Sequence, residues 1–213
     1  MKCFQEAVIH RRTSYSLGKL IPVLPSQIIA VVERMTQEVP SAFNMQSARV
    51  IVAMGKHHEK IWQITKETLK KIVPLESFSA TETKIDVFSS AYGTVLFFEE
   101  MNIVKDMQEK FAAYADNFPV WGQQANGMLQ FSIWTALDDI GIGVNLQHYN
   151  PLIDAEIKEY FTVPDSWELI AQMPFGEIKQ PPMPIEKISI NACSISSSLI
   201  LPLISIATVI LAI

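Results

Sequence analysis

The chain has 213 residues, enough for one ordinary domain with a sizeable core, or one domain and a short appendage. Its 22 acidic against 17 basic side chains leave a formal net charge of −5, which argues against the broad positive surface that captures nucleic acid through phosphate charge. Cys3 and Cys193 stand near opposite ends without a second sulfur beside either, so a disulfide framework, a zinc ribbon and an iron–sulfur cluster are disfavoured and a cytoplasmic setting is expected.

The first 30 residues carry Lys2, Glu6, Arg11 and Arg12 and no sustained apolar run, so no secretory signal is expected. Phe4, Ala7 and Val8 at helical spacing predict a helix over 3–10. Ser26 is expected to cap a second helix reaching Val39, with Ile28, Ile29, Val31, Val32 and Met35 on its buried face. Residues 48–54 form a β-branched run that predicts a buried strand, ended by Gly55. Residues 57–72 read as a helix with Ile61, Ile64, Thr65, Thr68 and Leu69 along one side, and 92–98 as a second strand closed by Glu99 and Glu100.

Helices are expected over 103–118 and 119–140, the latter opened by a proline whose missing N–H costs nothing there. Residues 119–137 carry no formal charge, but Gln123, Gln124, Asn126 and Gln130 oppose a membrane span and favour a central helix buried in the protein or at a subunit interface. Gly141 to Val144 opens a short buried strand, and 169–173 forms a last one before Pro174-Phe175-Gly176. Helices around a few strands, without regular βαβ alternation, predict an α+β fold.

Three segments carry candidate chemistry. His10-Arg11-Arg12-Thr13-Ser14-Tyr15 sets two guanidiniums and two hydroxyls just after a short helix, donors suited to a phosphate monoester; adjacent arginines also occur as plain solvated surface. Pro40-Ser41-Ala42-Phe43-Asn44-Met45-Gln46-Ser47 offers the mixed donors and acceptors that a planar heterocycle requires, against ordinary turn chemistry at Asn44. In Gly141-Ile142-Gly143-Val144-Asn145-Leu146-Gln147-His148-Tyr149-Asn150-Pro151 a strand running out at Leu146-Gln147-His148 leaves backbone N–H groups free for a ligand, against a purely structural histidine. His57-His58-Glu59 is not expected to bind metal, because adjacent helical side chains point about 100° apart. Glu99-Glu100 and Asp138-Asp139 read as a strand end and a helix end. No Gly-x-Gly-x-x-Gly follows a strand, so no separate dinucleotide-binding domain is expected.

Taken in this order with Tyr92-Gly93-Thr94-Val95-Leu96-Phe97-Phe98-Glu99 and Met173-Pro174-Phe175-Gly176, these segments resemble the nitroreductase family. The likeness is to the subgroup typified by the fatty-acid-repression-mutant proteins and the copper-induced nitroreductase. It covers residues 1–187, read as one FMN-binding domain, with 188–213 as an atypical Ser-rich and apolar tail. The resemblance implies a central, mostly antiparallel sheet flanked by helices, and a homodimer with the flavin at the subunit interface. It places Arg11, Arg12 and Thr13 on the FMN phosphate and ribityl chain, and Tyr15 where many members carry a basic residue. Ser41, Asn44 and Gln46 match a loop that reaches the flavin from the partner subunit. The backbone of Leu146, Gln147 and His148 matches the segment at the reactive edge of the ring, and Lys84 corresponds to a family lysine near the flavin.

The implied activity is FMN-dependent reduction of nitroaromatics, quinones or similar small electrophiles by NADH or NADPH, a ping-pong hydride transfer through flavin N5. No side chain is required as acid or base; His148 or Tyr149 is the candidate proton donor. A rival reading keeps the flavin in a regulatory protein of stress or lipid signalling with weak turnover. Members of the subgroup continue after Met183-Pro184-Ile185-Glu186 with a basic segment that returns a cation to the phosphate, and here only Lys187 could serve. The apolar run 199–213, interrupted by Pro202, falls short of the roughly 20 residues of a span and lacks flanking anchors. An altered terminus is therefore favoured over a membrane tail or a packed segment.

Overall fold

The computed structural model describes residues 2–189. The chain divides into Met1–Pro182 and Met183–Ile213. Of the second unit, 183–189 are described and form neither helix nor strand. The apolar run 199–213 lies outside the described residues.

The first unit is an α+β fold on an antiparallel sheet. Its strands are β1 (Leu17–Gly18), β2 (Ala48–Met54), β3 (Gly93–Glu100), β4 (Gly143–Val144) and β5 (Trp167–Ile178), in the order β1-β5-β3-β2, with β4 also paired to β5. Seven α-helices surround them: α1 (Phe4–His10), α2 (Pro25–Glu38), α3 (Lys56–Ile72), α4 (Leu75–Ser89), α5 (Met101–Lys110), α6 (Phe118–Asp139) and α7 (Asp154–Phe161).

β3 explains why the sheet sits where it does. Val95 and Phe97 pack with Ile28 and Val32 of α2 and Leu129, Ile133 and Leu137 of α6, whereas Leu96 and Phe98 pack with Ile61 and Trp62 of α3, Phe78 and Phe88 of α4, and Ile157 of α7. Successive side chains point to opposite faces, so an unbroken apolar run is the signature of a strand covered on both sides. Each of these four side chains is fully buried and contributes about 1.5–3 kcal/mol. A bulge between Phe97 and Phe98 sets Phe97 opposite Ala171 and Phe98 opposite Leu169. The extra residue, Ile170, turns Leu169 to the α3 face while Ala171, Met173 and Phe175 stay on the α6 face.

Several sequence expectations are corrected. Ser26 does not cap α2: Leu24 is the N-cap, Pro25 takes the first turn, and the Gln27 side chain accepts the Leu24 N–H at 2.9 Å. Only Ile28 and Val32, one turn apart, are fully buried on α2; Ile29 faces outward. Glu99 and Glu100 are the last two residues of β3, as expected, but β5 runs on through Pro174 to Ile178. Pro174 is tolerated because its nitrogen faces the same side as that of Gln172, toward β4 and Gln147, so no bond to β3 is lost. The expected helix 103–118 breaks at Phe111 (φ −126°, ψ 62°), whose ring packs 4.7 Å from Phe43, and continues as a 3₁₀ segment, Ala112–Asn117. Among the described residues no helix is long and apolar enough to cross a membrane.

Candidate functional site

The segments singled out in the sequence form two clusters. The first gathers the N-terminal segment, β4 and β5. Thr13 bridges Val144 in parallel, Ser14 N–H donates to the Val144 carbonyl at 2.9 Å, and the buried Asn145 amide returns a bond to the Ser14 carbonyl at 3.2 Å. Glycine at 143 is what allows this approach: a Cβ there would meet Ile178 and Leu17 at 2.6 and 2.8 Å and Ser14 Cβ at 3.2 Å.

Just before Thr13, the Arg11 N–H closes α1 on the Ala7 carbonyl, and its guanidinium lies 4.4 Å from the Trp134 ring centroid and 5.6 Å from that of Phe131, both on α6. Arg11 Nε and Trp134 Nε1 are buried without a hydrogen-bond partner. Burial, then the adjacent Arg12, pushes the Arg11 pKa down, and Asp138 opposes them. Arg12 turns back instead, its Nη1 donating to the Ile9 and Arg11 carbonyls at 2.6 and 2.7 Å, which caps the helix end. His10 Nδ1 meets Asp138 at 2.6 Å, and Tyr15 is exposed.

On the other side, Gln147 exchanges both backbone bonds with Gln172, at 2.7 and 2.9 Å, and the Gln172 side chain accepts the Tyr149 N–H at 2.7 Å. This corrects the expectation of a strand running out with free amides. The N–H groups of Asn145 and Gln147 pair to β5, and by strand alternation only those of Leu146 and His148 face away from it. The His148 side chain is exposed; that of Tyr149 packs on Trp62, and burial pushes its hydroxyl up to about 12.

The second cluster is the loop before β2. Phe43, Asn44 and Gln46 have φ of 54°, 51° and 50°. Such left-handed conformations cost about 1–3 kcal/mol each when held by side-chain-bearing residues, so the surroundings must impose them. Ser41 Oγ accepts the Gln46 N–H and Asn44 Oδ1 accepts the Gln46 amide, both at 2.9 Å, while the Asn44 and Gln46 side chains stay exposed. Met45 enters a small core with Val104 and Phe118. The Phe43 ring, half exposed, stands among Phe111, Tyr114, Phe118 and Trp121. A groove of about 340 Å³ beside the loop is lined by Glu33, Gln37, Ser41, Gln46 and Arg49 among others.

The two clusters lie far apart. Thr13 sits by Val144, which is aligned through Phe175 and Gly93 with Met54, at one end of β2. The loop enters β2 at its other end, Ala48. The six residue steps from Ala48 to Met54 separate the clusters by roughly 20 Å along the strand, and the three steps from β4 to β2 add about 14 Å across the sheet.

Lys84 joins neither cluster: it is exposed on α4, its Nζ 6.0 Å from the Phe88 ring centroid. Lys187 falls in the second unit. His57 and His58 diverge, one to Tyr160 on α7 and the other into the core, and no metal-binding group of three acidic, His or Cys side chains occurs among the described residues. Asp138 and Asp139 end α6 and hold Lys2 and His10.

Sequence reasoning missed the burial of Asn145, Gln172 and Glu99 behind the clusters, whereas the buried Asn126 and Gln130 lie on the helix it read as central. Their one sequence signal is a polar residue inside an otherwise apolar strand or an uncharged helix.

The Nitroreductase family profile matches residues 8–177. The chain is 33% identical over 175 residues to HBN1 of Saccharomyces cerevisiae, covering 81% of this chain and 86% of that one. It is 31% identical over 190 residues to the nitroreductase FRM2 of the same yeast, with 88% and 93% covered. The fold matches nitroreductase CinD of Lactococcus lactis, solved with nicotinic acid, at a TM-score of 0.85 and 38% identity over 91% of this chain and 99% of that one; CinD has also been solved with chloramphenicol and with 4-nitrophenol. The chain belongs to the nitroreductase family of oxidoreductases, in the subgroup of FRM2 and its relatives.

Proposed function

We propose that this protein is an FMN-dependent enzyme that consumes NADH or NADPH and reduces small electrophiles such as nitroaromatics and quinones, acting as a homodimer. The observation that carries the dimer is the separation of the two clusters. One flavin can touch both Arg11–Thr13 and Ser41–Gln46 only if a second copy supplies one of them. The outer face of α6, with Val120, Gln123, Gln124, Gly127, Met128 and Phe131 exposed and uncharged, is the surface suited to that contact.

The residues present fit the cofactor. Arg11 Nε and Trp134 Nε1 are buried donors in want of an acceptor, and the phosphate of FMN is such an acceptor. Distant members of the fold, at 12 and 14% identity, have been solved with FMN, which supports the same reading. Bound FMN would supply the two-electron chemistry, taking hydride from the nicotinamide and giving it to the acceptor. The chain's own part is to hold and shield. Arg11 and Thr13 bind the phosphate end, with Arg12 fixing the helix end behind them. The outward N–H groups of Leu146 and His148 would lie toward the ring edge of bound FMN, and exposed His148, or water, would supply the proton. Ser41, Asn44 and Gln46 come from the partner. The nitro compounds bound by CinD support a flat, nitro-bearing acceptor.

The test is direct. The purified protein elutes as a dimer, is yellow, and bleaches on addition of NADH or NADPH, with colour returning on 4-nitrophenol or a quinone. Colour without bleaching favours the regulatory reading; a colourless protein that takes up no FMN refutes the proposal. Arg11→Ala removes a charged donor to the phosphate and is expected to weaken FMN binding about 10- to 100-fold, read by flavin fluorescence titration.

A further inference from the structure

The carboxylate of Glu99 is 2% exposed at the end of β3, beneath the loop 41–47. Ser47 Oγ–H donates to its Oε1, and the Asn126 amide donates to its Oε2 at 3.1 Å. Asn126 cannot flip to suit another partner. Its Nδ2 also serves the Phe98 carbonyl at 3.0 Å, and its Oδ1 accepts from Gln130 at 2.8 Å. The backbone of α6 closes over the group at Gly122, where a Cβ would stand 2.7 Å from Oε1. The Glu100 N–H donates to the Ser47 carbonyl at 2.9 Å, so side chain and backbone of Ser47 are both fixed. Among the described residues no cation pairs with Glu99.

We propose that Glu99 is a positioning residue for the flavin-contacting loop, a deepening that rests on the FMN reading above. A buried carboxylate without a cation is costly, and two side chains, Ser47 just before β2 and Asn126 on α6, converge to satisfy it. What this arrangement secures is Ser47, the residue through which the loop joins the sheet. Immediately before it stand Phe43, Asn44 and Gln46, all in left-handed backbone that relaxes unless both ends are held. Arg49 adds a second tie, its Nη1 donating to the Gln46 carbonyl at 2.9 Å. Glu99 thus acts on the cofactor through the loop without touching it.

The experiment compares FMN affinity, by fluorescence titration of full-length protein, in wild type, Glu99→Leu, Glu99→Gln and Ser47→Ala. Ile61→Ala, in the distant core against α3, measures what lost stability does by itself. Glu99→Leu and Ser47→Ala are expected to weaken FMN binding about tenfold. Glu99→Gln stays within about threefold, because its amide can accept from Asn126 and donate to Ser47 Oγ. Ile61→Ala lowers Tm and leaves affinity unchanged. Wild-type affinity in Glu99→Leu, no rescue by Gln, or a matching loss in Ile61→Ala overturns the proposal; should Glu99→Leu not fold, Ser47→Ala decides by the same comparison. If wild type itself takes up no FMN, the flavin reading fails first. Limited proteolysis within 41–47 then decides the positioning role: faster cleavage of Ser47→Ala than of wild type supports it, and equal cleavage overturns it.

Discussion

Gly176→Ala is expected to destabilise the chain by about 3 kcal/mol or more and, on the proposed function, to weaken FMN binding with it. A Cβ at 176 would fall well inside van der Waals contact distance of the Gly18 carbonyl oxygen and 2.9 Å from the Tyr92 nitrogen. Both are backbone atoms, and both are already engaged in the sheet: Gly18 pairs with Glu177 beside β5, and the Tyr92 N–H donates to the Phe175 carbonyl at 2.9 Å. A clash with a flexible side chain is relieved by a rotamer change. This one is relieved only by moving β1 or the turn into β3. Gly176 also pairs with Gly143, so the displacement passes to β4 and from there to Thr13 and Ser14. Urea unfolding and FMN titration should therefore fail together. An unfolding free energy within about 0.5 kcal/mol of wild type would show that the strands can separate there without loss.

Much of this scaffold was legible in the sequence. The strand 48–54 and the helix ending at Ile72 were readable because β-branched runs and single-sided apolar periodicity are local properties of the chain. The helix α4 was not, because Phe78, Ile85 and Phe88 are spread among Thr81, Glu82, Thr83 and Lys84, leaving too thin an apolar stripe. The aromatic break at Phe111 depends on Phe43, nearly 70 residues earlier in the chain, and no local pattern carries it.

The site divides in the same way. The family-like motifs mark which residues to examine, but the distance between the two clusters follows from strand order and register, which a linear reading does not contain. Gln147 looked free because its partner, Gln172, lies in another strand, and which strand pairs with which is not a local property of the chain. Glu99 does stand at the strand end, but a carboxylate there is ordinarily solvent-facing, so its burial was not legible. Only the convergence of Ser47 and Asn126 reveals that it points inward.

The same geometry makes stability depend on pH through one core histidine. His58 lies between α3, β3 and the end of α4, with Nδ1 2.8 Å from Thr94 Oγ1 and Nε2 3.2 Å from the Ser89 carbonyl. The Trp62 indole N–H donates to the same Thr94 oxygen at 3.0 Å. The donors can be assigned in only one consistent way for a neutral ring: Nε2–H to Ser89, Thr94 O–H to Nδ1, Trp62 N–H to Thr94. Protonating Nδ1 would leave the Thr94 hydroxyl proton without its acceptor. Burial lowers the His58 pKa from 6.5 to about 4; the Ser89 carbonyl and Glu59 pull upward, and Lys19 adds to the lowering.

Because the folded state resists a proton that the unfolded chain binds near pH 6.5, the unfolded state carries more bound protons between pH 6.5 and 4. Stability is therefore full above pH 6.5 and falls as pH drops toward 4, by about 3 kcal/mol in all, with no further contribution below. Replacing His58 with Gln, which can still accept from Thr94, removes this titration at some fixed cost. Urea midpoints taken from pH 7.5 to 4 should thus show wild type losing about 3 kcal/mol more than His58→Gln over that window. Two parallel curves would mean that the ring is charged in the fold, and that the Trp62–Thr94–His58–Ser89 chain of bonds does not hold as assigned.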